Sequence, residues 1–166
     1  MPHAGPDWNI ATAAAAIRTE LDTDGNGVID RDEIRGCPVW CSAADRLDGN
    51  GDGRIDTSEI EGRVSLYRDA RDLKMALRLR FRFAGRPLAN VSVRLVPDVA
   101  LADIIPAIES RTGGDGVALF EALAGAYRIA GDWPSQGLVA EPAGLEVAAD
   151  VGGMVANQTI ELRQPR

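Results

Sequence analysis

Two acidic, glycine-containing segments of twelve residues constrain this chain more than any other feature. They run from Asp22 to Glu33 and from Asp48 to Glu59. In each segment, positions 1, 3, 5, 9 and 12 carry a carboxylate or carboxamide, and position 6 is glycine. A glycine at that position permits a positive φ, so the backbone can curl and direct these oxygens at one centre. Each segment therefore predicts a binding site for a hard cation.

The spacing of these oxygens is that of the EF-hand family, which both segments resemble. Ca²⁺ takes six to eight oxygen ligands at about 2.3–2.6 Å, and the loop supplies them from alternating positions. The resemblance implies two calcium ions as cofactors. The predicted ligands of the first ion are Asp22, Asp24, Asn26, Val28 through its carbonyl, Asp30 and Glu33. The predicted ligands of the second ion are Asp48, Asn50, Asp52, Arg54 through its carbonyl, Asp56 and Glu59.

Position 8 of the two segments predicts that they form one unit. It is Ile29 in the first segment and Ile55 in the second. In paired EF-hands these residues form a short antiparallel bridge between the loops. We therefore expect one paired unit rather than two separate sites.

The linker between the loops argues against a calcium switch. Gly36 and Pro38 are expected to stop the first exiting helix after about one turn. Calcium sensors swing longer helices apart and line the exposed groove with methionine. Met1 is the one methionine in this half of the chain. A structural role for calcium is therefore favoured.

The period of the apolar residues changes near residue 73. Before that point the spacing predicts helices over 8–21 and 57–73, the first capped by Asp7, with a short helix ending at Leu47 between them. From Met75 to Phe83 apolar residues alternate with polar ones, as in a half-buried antiparallel strand. Later strands are predicted near 91–95, 117–120, 127–130, 145–148 and 159–162. The predicted fold class is α+β, with a paired EF-hand domain over 1–73 and an all-β sandwich over 74–166.

The second half resembles the carboxypeptidase regulatory-like domain, a transthyretin-like β-sandwich. The resemblance rests on Gly85–Leu95, Thr112–Phe120, Leu123–Ile129 and a last strand over Asn157–Leu162. The stretch Pro97–Arg111 departs from the family and is expected to be a loop with a helical turn. Such domains are frequent in bacterial surface proteins. The resemblance implies a secreted bacterial module with a protein or glycan partner.

Cys37 and Cys41 lie between the two calcium segments. Without a nearby histidine they cannot complete a zinc site. A disulfide closing a five-residue ring is the favoured interpretation, and it would indicate an oxidising compartment. Two reduced, buried thiols in a cytosolic protein are the alternative.

Composition excludes several functional classes. The net charge of −7 argues against binding nucleic acid, and no apolar run approaches the roughly 20 residues that span a bilayer. The single histidine, His3, leaves no basis for histidine-dependent catalysis, so we predict that the protein is not an enzyme.

The first eight residues lack the features of a signal peptide. An extracellular or periplasmic location requires that a signal was removed, and a cytoplasmic one is the alternative.

Two features of the second half have open interpretations. The arginines that alternate with apolar residues predict a basic sheet face, formed by Arg78, Arg80, Arg82 and Arg94. A solvated face is the simpler interpretation, and docking of the acidic half or of a partner is the other. Trp133 is either an exposed contact residue or the anchor of a loop.

Three functions fit the sequence. The first is a binding or adhesion module stabilised by two calcium ions. The second is a calcium sensor or buffer that a β-sandwich anchors. The third is an accessory to a glycosidase-like enzyme.

Overall fold

A computed structural model describes residues 8–41, 43–135, 137–148 and 158–165. Helices come first and strands follow, which confirms the α+β class. The helices are α1 (Ile10–Leu21), α2 (Arg31–Arg35), α3 (Pro38–Cys41), α4 (Ala44–Leu47) and α5 (Thr57–Asp69). We call residues 10–69 the helical unit. In the described residues no helix has the length and apolar character needed to cross a membrane.

The helix boundaries differ from the predictions at two ends. Helix α1 begins at Ile10 rather than at Trp8, because the Asn9 side chain accepts a hydrogen bond from the Thr12 amide at 2.9 Å and caps it. Asp7, the predicted cap, lies outside the described residues. Helix α5 ends at Asp69 because the chain must turn before the first strand begins at Lys74.

In the part of the chain that the structure describes, nine strands follow the helices and form two sheets, with a 3₁₀ turn at Val99–Leu101. They are β1 (Lys74–Phe83), β2 (Arg86–Pro87), β3 (Ser92–Pro97), β4 (Ile108–Arg111), β5 (Val117–Leu123), β6 (Gly125–Gly131), β7 (Val139–Glu141), β8 (Gly144–Val147) and β9 (Gln158–Arg163). In the five-stranded sheet, β1 has β9 on one side and both β2 and β5 on the other side. Strand β7 pairs with the far side of β9. The four-stranded sheet has the order β4-β3-β6-β8.

The pairing of β1 is mixed, although the sequence predicted an antiparallel strand. It pairs antiparallel with β5 and β2 but parallel with β9, from Leu79 opposite Gln158 to Phe83 opposite Leu162. The β1–β2 hairpin turns at Ala84 and Gly85, whose φ angles are 49° and 74°. Two consecutive positive φ angles suit a two-residue turn between twisted strands.

Three strands were not predicted from the sequence. Strand β2 has two residues, β7 has three, and β4 lies inside the stretch that was expected to be a loop. None of them carries a long apolar alternation, and β4 forms by pairing with β3, from Ile108 opposite Leu95 to Arg111 opposite Ser92. The expected helical turn is present as the 3₁₀ turn Val99–Leu101, after which the Ile105 amide donates to the Leu101 carbonyl at 2.8 Å.

The helical unit packs against the four-stranded sheet. All four residues of β8 are buried, since one face points into the sandwich and the other meets the helices. Gly144 of β8 lies against Val39 of α3 and leaves no room for a side chain. The Trp40 indole, 1% exposed, donates a hydrogen bond to Asp98 Oδ2 at 3.2 Å. Helices and strands therefore share one hydrophobic cluster.

Two open features of the strand region are settled. Trp133 is half-buried, and its ring centroid lies 6.1 Å from that of Phe81, so it anchors a loop. The predicted basic face is divided. Arg94 lies on β3 in the four-stranded sheet, whereas Arg78, Arg80 and Arg82 lie on β1 in the five-stranded sheet.

Candidate metal centre

The first loop is held in its curled shape by its own side chains. Asp22 accepts hydrogen bonds from the Asn26 amide at 3.0 Å and from the Gly27 amide at 2.9 Å. Asp24 also accepts from the Asn26 amide, and Asn26 Oδ1 accepts from the Val28 amide at 2.9 Å. Gly27 has φ 88°, as the sequence required of position 6. These contacts place the side chains of positions 1, 3 and 5 around one centre.

The second loop repeats this arrangement. Asp48 accepts hydrogen bonds from the Asp52 amide at 3.1 Å and from the Gly53 amide at 2.8 Å. Asn50 accepts from the Asp52 amide, and Asp52 Oδ1 accepts from the Arg54 amide, both at 2.8 Å. Gly53 has φ 81°. The exchange of aspartate and asparagine between positions 3 and 5 leaves the fold of the loop unchanged.

The glutamate at position 12 closes each loop. Glu33 accepts hydrogen bonds from the amides of Thr23 at 2.7 Å and Asp30 at 3.0 Å. Glu59 makes the equivalent bonds with the amides of Gly49 at 2.9 Å and Asp56 at 3.0 Å. The bond from the Asp30 amide is the largest of the backbone hydrogen bonds that lower the pKa of Glu33. Both glutamates are therefore directed inward, and the hydrogen bonds to Glu33 favour its carboxylate form.

The aspartates at position 9 act as helix caps. Asp30 accepts hydrogen bonds from the amides of Asp32 and Glu33 at the start of α2. Asp56 accepts from the Glu59 amide at the start of α5, and this bond is the main cause of its lowered pKa. Both ends are reciprocal capping boxes. The two predicted calcium ligands Asp30 and Asp56 thus also fix each loop to the helix that follows it.

The two loops are joined as predicted. Ile29 and Ile55 form an isolated antiparallel bridge, with both amide-to-carbonyl distances at 2.9 Å. The side chains are 1% and 4% exposed. The two loops therefore share a buried backbone contact.

The donor atoms fit a calcium ion. One oxygen each from Asp22, Asp24 and Glu33 lie within 4.8 Å of one another. Oxygens that share an ion at about 2.3–2.6 Å lie at most about 5 Å apart, so this spacing suits a common ion. The second loop has Asn50 in place of one of these carboxylates. All side-chain donors in both loops are oxygens, the type that Ca²⁺ prefers.

The disulfide prediction is wrong. Cys37 and Cys41 are both free thiols. They lie at opposite ends of a helical turn, in which the Cys41 amide donates to the Cys37 carbonyl at 3.0 Å. Side chains four residues apart on a helix have Cβ atoms about 5–6 Å apart, whereas a disulfide needs about 3.5–4.5 Å. The linker is braced instead by Val39 and Trp40, which are buried against the sandwich.

A buried ionic cluster joins the helical unit to β8, and the sequence analysis missed it. Glu146 is fully buried and forms ion pairs with Arg63, which is 4% exposed, and with Arg46 at 2.6 Å. The Tyr67 hydroxyl donates to the same carboxylate. We call Arg46, Arg63, Tyr67 and Glu146 the Glu146 cluster.

Hydrogen bonds and charges within the Glu146 cluster offset the effect of burial on the pKa of Glu146. Burial raises the pKa of Glu146, but hydrogen bonds from Arg63 and Tyr67 and the charge of Arg63 outweigh it and leave the pKa below its ordinary value. Burial, followed by the neighbouring carboxylate, holds the pKa of Tyr67 well above its usual range. One sequence signal was available, because Arg63 shares the apolar stripe of α5 with Ile60, Val64 and Tyr67. Nothing in the sequence indicated that Glu146 is buried, since the alternation of the strand places its side chain on the face that points away from the sandwich core.

Comparison with known proteins supports the assignment of the loops. The family model described as EF hand matches residues 19–37 and 45–64, and these segments contain both loops. The search of curated proteins found no match to this chain. The full-length major pilin SpaD from Corynebacterium diphtheriae is a structural neighbour, with 21% identity and a TM-score of 0.36. The match covers 55% of this chain and 30% of the pilin. The chain thus carries two EF-hand segments, and that family implies calcium binding.

Proposed function

We propose that this protein binds two calcium ions, one in each loop, and that the ions stabilise a β-sandwich that acts as a binding or adhesion module. The observation that carries the proposal is the path of α5. Asp56 and Glu59 of the second loop form its first turn. Further along the same helix, Arg63 and Tyr67 hold Glu146 of β8. An ion that fixes the loop also fixes the helix that is joined to the sandwich.

The helical unit is built to stay in place. The helices that link the loops are short, with five residues in α2 and four each in α3 and α4, and the longer helices α1 and α5 pack against each other. Trp40, Val64 and Tyr67 are at most 1% exposed and lie in the shared core. Opening a groove would break these contacts and leave the charge of Glu146 unpaired. A structural role for calcium therefore fits better than the role of a sensor.

We further propose that the strand region is a carboxypeptidase regulatory-like sandwich. The residues of its sequence motifs serve turns and packing. Asn90 has φ 58°, and Gly116 has φ 75° where a Cβ would lie 2.6 Å from the Phe81 carbonyl oxygen. The Tyr127 hydroxyl donates to the Leu123 carbonyl at 2.8 Å. Its partner is a protein or glycan, and one surface suited to a protein is described below.

Calorimetric titration with Ca²⁺ tests the stoichiometry. We expect two ions for the parent, one for Asp22→Ala or Asp48→Ala, and none for the double variant. Asp32→Asn is the matched control, because this loop carboxylate is 85% exposed and pairs only with Arg35 in the described chain. It should leave both sites intact. Fewer than two ions in the parent would refute the proposal.

Thermal unfolding and dye binding test the role of the ions. Calcium at a hundredfold excess over Kd stabilises the folded state by about 2.7 kcal/mol per site. We expect the helical unit and the sandwich to melt together at a higher temperature with calcium than with a chelator. Calcium-induced binding of a hydrophobic dye would instead support the sensor. The affinity indicates the compartment, since millimolar binding suits a calcium-rich exterior and micromolar binding suits the cytosol.

A further inference from the structure

A row of arginines follows the outer face of β1. Burial alternates along this strand, so Arg78, Arg80 and Arg82 project to the face opposite the core. Alternate residues of a strand are spaced by about 6.8 Å. Arg78 and Arg80, with Gln158 and Thr159 of β9, line an open groove of about 320 Å³. Two exposed guanidinium groups, an amide and a hydroxyl therefore face one space.

The charges of Arg78 and Arg80 are not neutralised by the residues that the structure describes. In the described residues neither Arg78 nor Arg80 forms an ion pair or side-chain hydrogen bond, and Arg82 Nε is buried without a partner. Glu121 and Glu161 are the acidic residues at outward positions next to β1, on β5 and β9. At its outward positions β1 carries four cations, which are Lys74, Arg78, Arg80 and Arg82. This face is thus cationic in a chain of net charge −7.

The described residues of the acidic half do not neutralise the row. Residues 1–71 carry a net charge of −6, from 14 acidic and 8 basic residues. The helical unit, however, docks on β6 and β8 of the other sheet, through Val39 and the Glu146 cluster. Arg78 and Arg80 remain exposed. The intramolecular interpretation of the basic face is therefore wrong.

The same sheet face also offers an apolar contact, on the side of β1 away from the groove. Leu119 lies directly opposite Arg78 on β5 and is 67% exposed. Val117, opposite Arg80, is half-buried. A ligand along β1 would meet guanidinium groups on one side and aliphatic groups beside them. A glutamate side chain matches this mixture, because its methylene stem can lie against Leu119 while its carboxylate meets a guanidinium group, whereas a polyanionic sugar chain offers no apolar partner for Leu119.

We propose that the outer face of β1 binds an extended acidic peptide segment of a partner protein. Carboxylates on alternate residues of an extended peptide repeat at about 6.8 Å, the spacing of the arginine row. Guanidinium groups suit such ligands because they bind carboxylates through paired hydrogen bonds. The inference rests on the proposed function, in which the sandwich is the binding module, and it names the surface and the chemistry of the partner.

Fluorescence anisotropy with labelled peptides tests the proposal in the intact protein with calcium. The main probe is an octapeptide in which glutamate and valine alternate. A peptide of the same composition with its four glutamates together and a sulfated oligosaccharide of equal charge are the comparison probes. We expect the alternating peptide to bind most tightly and to weaken as salt rises.

Three variants locate the binding surface. Arg78→Gln/Arg80→Gln should weaken binding of the alternating peptide about tenfold, and Leu119→Ser should weaken it a few fold. Arg94→Gln is the matched control, because Arg94 is an exposed strand arginine on the other sheet. It should leave binding unchanged, and the melting temperature of each variant establishes that it is folded.

Several results would overturn the proposal. Equal weakening by Arg94→Gln would show a nonspecific charge effect, and tighter binding of the oligosaccharide would make the partner a glycan. No binding of any probe, while calorimetry finds two calcium ions, would refute the groove and leave the calcium sites standing. Peptide binding with fewer than two ions would refute the calcium proposal alone.

Discussion

The Glu146 cluster makes a quantitative prediction for Glu146→Gln. The substitution keeps the shape of the side chain but removes its charge, so Arg63, which is buried at 4% exposure, loses its ion pair with Glu146. Removing one partner of a buried ion pair costs about 3–5 kcal/mol. The pair with Arg46 adds little, because Arg46 is 37% exposed and solvent screens it. We expect a loss of about 3 kcal/mol in the free energy of unfolding.

The assay is urea denaturation with calcium present, monitored by both far-ultraviolet circular dichroism and tryptophan fluorescence. Trp40 lies 6.4 Å from Tyr67 between ring centroids and reports on the same interface. Glu141→Gln is the matched control, since its pair with Arg163 at 2.9 Å is more than half exposed. It should cost at most about 1 kcal/mol.

A second variant separates the cost of the broken ion pair from the cost of lost packing. Arg63→Met/Glu146→Leu removes both charges and keeps most of the volume, so it should destabilise the protein less than Glu146→Gln alone. The reasoning would be refuted if Glu146→Gln cost no more than Glu141→Gln. It would also be refuted if the double variant were the less stable of the two.

Four further predictions concern the pH dependence of Glu146, two glycines, the bridge between the loops and the thiols. The pKa of Glu146 is lower in the folded state than its ordinary 4.5. Its contribution to the stability of the fold is therefore complete above about pH 4.5 and is lost as the pH falls through the folded pKa. The stability difference between the parent and Glu146→Gln, measured across pH, should shrink in that window. Gly144→Ala should cost about 1–3 kcal/mol in urea denaturation, because its Cβ would lie 2.8 Å from the Tyr127 carbonyl oxygen, whereas Gly62→Ala on the open side of α5 should gain about 0.5–1 kcal/mol. Ile29→Ala should cost about 2–5 kcal/mol and weaken calcium binding at both loops by calorimetry, because the bridge to Ile55 joins them; weakening confined to the first loop would contradict this coupling. A thiol-reactive dye should label two thiols per chain, Cys41 faster than Cys37, because burial raises the pKa of Cys37.

The sequence was most informative where function depends on local spacing. The oxygens of each calcium loop lie within twelve residues, so the pattern predicted both the loop geometry and the Ile29–Ile55 bridge. The alternation from Met75 to Phe83 likewise predicted β1. Each of these features is decided by neighbours in the chain, which a single sequence displays.

Contacts between distant segments were not predictable in the same way. Leu145 to Ala148 was expected as a strand, but its alternation placed Glu146 on the solvent side, and nothing local shows that α5 covers that side. Strand β4 depends on β3 for its hydrogen bonds rather than on its own apolar pattern. The disulfide failed for a related reason, because spacing alone does not show that Cys37 to Cys41 is helical.

The parallel pairing of β1 with β9 has a consequence for biosynthesis. Leu79 meets Gln158, a partner made 79 residues later, so the ribosome must add most of the sandwich before this side of β1 is covered. Until then the apolar positions of β1 and its free backbone groups present an unprotected edge, the kind that favours aggregation. Closure of this ladder is a long-range event and therefore a slow one. Point substitutions in β9 should accordingly reduce the soluble yield in cells more than they reduce the stability of the purified protein.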